Sequence, residues 1–226
     1  MARVLLVSAN LGGLDPIFPL PAEPGVDSVY FTDQSGPAPG WGSVVRVTPR
    51  GNPRMEAKRY KCQINRLNEA SGYDWLAWAD ASFRFRSIAF LPLLAGVGTD
   101  GLRAALIPHP DRETVADEYT YILRQIGRGN PYLSSRYPTM DLLRERAYFS
   151  VRHDLSRLPL WSGGLWLFAR GPRSDEFFDR WWDTVSRFSV FDQAAISPLL
   201  VETGIEPLPY NVNLYRNWAF ERVHHA

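Results

Sequence analysis

Asp80 is the residue in this chain best placed by its neighbours to do chemistry. It closes the hydrophobic run of Leu76-Ala-Trp-Ala-Asp80-Ala-Ser82, so a strand delivers a carboxylate at its carboxyl end. Ligands of open α/β sheets bind in the crevice beyond those ends. Asp80 and Ser82 are two apart, and on an extended segment both side chains point the same way. Hard oxygen donors suit Mg2+ or Mn2+, which bridge protein carboxylates and substrate phosphates. Asp80 and Ser82 are therefore the candidate metal ligands, with Ser82 the poorer one. The alternative is an Asp that only caps the loop after its strand.

Other candidates sit where neighbouring elements end. Asn10 and Gly12 follow the first apolar run, and glycine there lets backbone approach a nucleotide closely. Their spacing matches neither a P-loop nor a dinucleotide fingerprint. Asp33 ends the second run, where it can accept hydrogen bonds from a ribose or base, or form a turn before Ser35-Gly36. Arg54, Lys58 and Lys61 lie on or near one face of a helix and can neutralise a diphosphate; a solvated helix face is the alternative. His109, held between two prolines, and Arg112 follow another strand, with Glu118 beyond them. Asp192 and Gln193 are expected to open the last helix. A carboxylate at a helix N-terminus is stabilised as the anion, and it can serve as a base toward an acceptor hydroxyl, position one, or simply cap the helix. Trp161, Ser162 and Gly163 precede a strand and leave room for an acceptor, or form a turn.

These residues need elements to position them. Arg3 to Ser8, Val26 to Thr32, Ser43 to Thr48, Tyr73 to Ala79, Ala104 to Ile107 and Gly163 to Ala169 read as strands. Asn52-Pro53 reads as a helix start, with Asn as N-cap and Pro in the first turn; Ala57, Tyr60, Ile64 and Leu67 then recur at helical spacing. Asp111 is expected to cap a helix on Val115, Tyr119, Ile122 and Ile126. Pro138 to Val151 reads as a helix with Met140, Leu143, Ala147 and Val151 on one side. Ser174 to Phe188 and Asp192 to Thr203 read as two more, the last closed by Gly204. Alternating strands and helices favour a mostly parallel sheet flanked by helices, in one domain over residues 1–226.

Composition narrows the class. With 45% hydrophobic and 22% charged residues in 226, the chain can bury a large core. A net charge of +1 argues against a nucleic-acid binder. Cys62 is the only cysteine, so a disulfide-stapled scaffold is excluded. The first residues are too few and too little apolar for a membrane span or signal peptide, and a cytoplasmic location is expected. The terminal Val223-His-His-Ala leaves the role of its histidines open.

In this order the motifs resemble a glycosyltransferase-like family of plants and bacteria, long known only as a domain of unknown function. Val4 to Asp15 is similar to its opening strand and turn, Tyr30-Phe-Thr-Asp33 to its second-strand ending, and Arg54 to Lys61 to its basic helix. Tyr73-Asp-Trp-Leu-Ala-Trp-Ala-Asp80 resembles its Tyr-Asp-x-x-x-Trp-hydrophobic-Asp segment. His109-Pro-Asp-Arg112 with Glu118, Trp161 to Arg170, and Phe178 to Trp182 with Asp192-Gln193 resemble three further motifs. Val190-Phe191 stands where the family has Ser-Arg. The resemblance implies a GT-A fold with a Rossmann-like sheet, a nucleotide-diphosphate sugar (UDP- or GDP-linked) and a divalent cation, Mn2+ or Mg2+, at Asp80. It implies transfer of a hexose to a hydroxyl of a glycan or small metabolite. A sugar nucleotidyltransferase is disfavoured because Asn10-Leu-Gly-Gly-Leu-Asp15 carries neither Arg nor Lys. A non-catalytic carbohydrate- or nucleotide-binding protein on the same fold stays open through Ser82.

Overall fold

The computed structural model describes residues 2–13, 15–97 and 104–223. The chain runs β1 (Val4–Asn10), β2 (Val26–Thr32), β3 (Ser43–Arg46), α1 (Pro53–Cys62), β4 (Trp75–Ala79), β5 (Phe83–Phe85) and α2 (Phe90–Val97). It continues through β6 (Ala104–Pro108), α3 (Val115–Gly127), α4 (Pro131–Arg136), α5 (Thr139–Ser150), β7 (Trp161–Ala169), α6 (Pro172–Arg187), α7 (Ile196–Thr203), β8 (Pro207–Pro209) and β9 (Phe220–Arg222).

A seven-stranded sheet has the order β3-β2-β1-β4-β7-β6-β8, and β5 pairs with β9 apart from it. β1 is parallel to β2 and β4, β2 to β3, and β6 to β8. β7 alone runs antiparallel, between β4 and β6, placing Trp166 opposite Trp78. The chain is thus α/β with a mostly parallel sheet flanked by helices, consistent with a Rossmann-like fold. β1 shows why: all seven of its residues are buried, as a central strand covered on both faces requires.

The pleat sorts side chains into two cores. Leu5, Val7, Leu76, Trp78, Trp166 and Phe168 face one side, where α1, α3, α5, α6 and α7 pack. Val4, Leu6, Trp75, Ala77, Leu165 and Leu167 face the other, covered by α2 and the β5–β9 pair. The high aromatic content fills the first core: Phe177, Phe178 and Trp181 of α6 are at most 1% exposed and pack on Trp166 and Phe168. Burying each such ring stabilises by about 1.5–3 kcal/mol.

Several expected boundaries shift. α1 stops at Cys62, and the path to Leu67 continues as a 3-10 turn at Ile64–Arg66, because Leu67 is extended at φ −69° and ψ 138°. α3 is capped by Thr114, whose hydroxyl and the Asp117 carboxylate form a reciprocal capping box, rather than by Asp111. α5 turns the opposite face inward: Leu142, Glu145 and Phe149 are buried, while Met140, Leu143 and Val151 are exposed. α7 begins at Ile196, four residues after Asp192, and ends at Gly204, whose φ of +62° makes it the left-handed C-cap expected there. Pro198 falls in its first turn, where no N–H is missed. Among the described residues no helix is long and apolar enough to cross a membrane. His224 and His225 lie outside the described residues.

Candidate functional site

An open cleft of about 600 Å³ lies beyond the carboxyl ends of β1 and β4, walled by α1 and α4. Its basic lining residues are Arg54, Lys58, Lys61, Arg136 and Arg222, facing the acidic pair Asp15 and Asp80. A chain of net charge +1 thus gathers a local cationic surplus in one concavity, and such focusing attracts anions.

Asp80 owes its place to the pleat of β4. It follows Trp78 on the same face, and the Trp78 indole Nε1 donates to its Oδ1 at 2.7 Å. Its backbone N–H donates to the Gly164 carbonyl at 2.8 Å. Lys61, the penultimate residue of α1, approaches the same Oδ1 at 3.3 Å. The Asp80 side chain is 31% exposed and Lys61 only 2%. The segment after Asp80 is not extended, contrary to the expectation for Ser82: Phe83 N–H donates back to the Asp80 carbonyl at 3.1 Å, closing a turn. Ser82 still lines the cleft, but its direction comes from that turn and not from strand alternation.

Behind Lys61 stands Asp192. Its Oδ2 meets Lys61 Nζ at 2.6 Å and its Oδ1 meets Lys58 Nζ at 2.7 Å. The Trp181 indole fixes the Asp192 carbonyl at 2.8 Å. Burial alone would raise the Asp192 pKa, but Lys58 and Lys61 together hold it well below the usual carboxylate range. Lys58 shifts the other way: burial would lower its pKa, and Asp192 and Asp80 outweigh that and raise it. The anion is therefore stabilised by two ammonium groups and not by a helix N-terminus. A carboxylate held so far down is a poor proton acceptor at neutral pH. Asp192 does not line the cleft, and its geometry is that of an anchor for the two lysines.

The other expected site residues divide into three groups. Asn10 and Arg54 line the cleft; Asn10 Nδ2 also donates to the Asp15 carbonyl at 2.7 Å, holding the loop after β1. Gly12 and Asp33 shape that loop, with Gly12 N–H donating to Asp33 Oδ2 at 2.8 Å. Gly12 sits at φ +86°, and a Cβ there would come within 3.2 Å of Pro53 at the start of α1.

The third group forms a relay off the cleft. His109 contacts Arg112 at 2.9 Å through Nε2, and the Arg112 guanidinium pairs with buried Glu118. Gln193 Nε2 donates to Glu118 at 3.0 Å, while Gly163 N–H donates to Gln193 Oε1 at 3.2 Å. Burial and the charge of Arg112 push the His109 pKa down to about 4. His109, Arg112 and Gln193 thus brace β7 where it passes Lys61 and do not face the cleft. Ser162 is buried, its Oγ accepting from Gly164 N–H at 3.3 Å, and Gly163 lies against Lys61, so that a Cβ there would be 3.5 Å from Nζ. Trp161 lines a separate groove with Leu200 and Val201. The three expected acceptor residues are therefore not brought together on the cleft.

No protein-family model and no curated protein sequence matches this chain.

Sequence reasoning missed α4 and the C-terminal strand. α4 brings Tyr132, Arg136 and Tyr137 to the cleft, and β9 brings Arg222. The signal for α4 was present: Asn130-Pro131 repeats the Asn-Pro start of α1, and Asn130 Oδ1 accepts from Leu133 N–H at 3.1 Å. Arg222 had no local signal, since β9 pairs with β5 across 137 residues of separation.

The divalent cation implied at Asp80 is a poor fit to the donor set. Among the described residues no three His, Cys, Asp or Glu side chains gather as a chelate. Asp80 Oδ1 already accepts from an indole and an ammonium. That ammonium is wedged between the Trp78 and Trp181 rings, 5.8 Å from each centroid, and it would repel a cation on the same carboxylate.

Proposed function

We propose that this chain is a glycosyltransferase of the GT-A type that moves a hexose from a nucleoside-diphosphate donor, UDP- or GDP-linked, to a hydroxyl of a glycan or small metabolite. The observation that carries the reading is the cationic cleft at the carboxyl ends of β1 and β4, with Lys58 and Lys61 presented beside Asp80. A sugar nucleotide leaves a diphosphate whose negative charge grows as the glycosidic bond breaks. Preorganised cations at that point lower the barrier electrostatically. Tyr132 and Tyr137 line the same cleft and offer rings to a base or sugar. Asn10 and Leu11 line the cleft at the end of β1, where a nucleotide would reach them.

A second reading, binding without transfer, is favoured by one feature. Asp192 lies off the cleft against both lysines and Asp80 shares Lys61 with it, so among the described residues no unpaired carboxylate stands beside the lysines.

A thermal-shift panel of UDP, GDP and CMP tests the first step. A nucleotide at 100 times its dissociation constant should stabilise the protein by about 2.7 kcal/mol and raise the melting temperature. Release of free hexose from the matching donor then separates transfer from binding. A shift with no turnover of any donor in the presence of candidate acceptors supports the second reading, and no shift with any nucleotide overturns both.

A further inference from the structure

We infer that the cleft binds its diphosphate through its own ammonium and guanidinium groups, with no divalent cation in the binding step, and that Asp80 positions Lys61 rather than ligating a metal. This rests on the glycosyltransferase reading of the cleft.

The case begins with what a metal at Asp80 would displace. Lys61 is buried and makes two carboxylate contacts, to Asp192 at 2.6 Å and Asp80 at 3.3 Å. Withdrawing it would leave Asp192 to Lys58 alone in a site only 8% exposed. It cannot rotate away either, because the indoles of Trp78 and Trp181 flank it and Gly163 backs it. Asp80 is no freer: the turn to Phe83, the Gly164 carbonyl and the Trp78 indole fix its backbone and one oxygen. Gly164 leaves room for the other oxygen, since a Cβ there would stand 3.1 Å from Oδ2. The carboxylate is built to hold an ammonium in place.

The charge a metal would supply is present without it. Arg54 lines the cleft and makes no ion pair among the described residues. Arg136 and Arg222 approach from α4 and β9, so positive groups come from three separate elements around one space. Lys58 has one donor committed to Asp192 and a quarter of its side chain exposed, leaving N–H groups for a phosphate oxygen. Charged groups on several sides match the spread of charge over a diphosphate better than one point charge at a cleft edge.

Isothermal titration of the intact chain with GDP and with UDP, in EDTA and again in excess Mn2+, tests the inference. The same affinity in both buffers is expected. Arg54→Gln, half-buried at a helix start outside the buried ion pairs, should weaken that affinity roughly 10-fold or more, the loss of one charged hydrogen bond. Asp80→Asn keeps the acceptor for Trp78 but loosens the hold on Lys61, so it should weaken nucleotide binding several-fold and by the same factor in EDTA and in Mn2+. Its melting temperature without ligand confirms that the fold is retained. Binding that appears only with Mn2+ and vanishes in Asp80→Asn overturns the inference while leaving the glycosyltransferase reading standing. Failure of both nucleotides to bind in either buffer overturns both.

Discussion

Lys61 Nζ stands between two carboxylates and two indoles with almost no contact with water. An ammonium removed from water is costly unless paired, and here Asp192 and Asp80 provide the pairing. The pair is therefore an interdependent unit, and removing one member exposes the cost of the other. Lys61→Met keeps most of the side-chain volume and leaves Asp192 with one partner. It should lower unfolding free energy by about 3–5 kcal/mol in urea titration. A loss within error of zero would mean that water already solvates Asp192. Lys61 was legible in the sequence as one of three basic residues near a helix face. Its burial was not, because a lysine on an amphipathic helix usually reads as a solvated one. Only the tertiary approach of Asp192, from 131 residues downstream, changes that reading.

At the scale of elements, β1 to β4, β6 and β7 were legible, while the short strands β5, β8 and β9 and one helix face were not. β2 begins and ends at the expected Val26 and Thr32, although Asp27 interrupts its run and only Ser28 to Thr32 are buried. α5 misled because its buried face includes Glu145, 1% exposed. Pattern reading places a glutamate outside, and so it chose Met140, Leu143 and Val151 for the core. Burial raises the Glu145 pKa well above its ordinary value, against the hydrogen bond from Ser189, so folding favours the protonated carboxyl. A raised native pKa contributes stability below the unfolded pKa near 4.5 and loses it as pH rises through the native value. Glu145→Gln carries no such penalty. Its melting temperature should exceed that of the parent at pH 8 and approach it near pH 4, and a constant offset would show that Glu145 does not titrate with folding. The start of β7 makes a second element-scale case. A Cβ at position 164 would stand 3.1 Å from both Asp80 Oδ2 and the Phe83 ring. Gly164→Ala should therefore cost about 1–3 kcal/mol by overpacking and weaken nucleotide binding by shifting the Asp80 turn. Unchanged affinity in a folded Gly164→Ala would separate that turn from the ligand.

Over the whole molecule, the cleft depends on segments distant in sequence being held in register, and the relay from His109 to Gly163 is one brace that does so. It ties the end of β6, the start of α3, the turn before α7 and the start of β7 into one hydrogen-bonded line. His109 is its pH-sensitive member. Its Nδ1 accepts from the backbone N–H groups of Asp111 and Arg112 at 3.2 Å, and its Nε2 faces an Arg112 N–H. With Nδ1 accepting, the neutral ring carries its one proton on Nε2, and a second would fall on Nδ1 against two backbone donors, in agreement with a pKa pushed down to about 4 by burial and by Arg112. Between about pH 4 and the ordinary 6.5 the unfolded histidine takes up a proton that the folded one refuses. The unfolded state then binds more protons, so stability must fall as pH drops through that window. Glu118, in contact with Arg112, has the opposite sign: burial raises its pKa despite that charge, so its contribution fades as pH rises. Comparing two chains that both keep Glu118 removes its share. His109→Asn retains an oxygen for the two backbone donors and cannot be protonated. Its melting temperature plotted against pH should be flatter than that of the parent between pH 4 and 6.5, and parallel to it above 7. Curves parallel throughout would mean that the histidine titrates alike in both states and that the relay's neutral imidazole is not part of what holds β7 against Lys61.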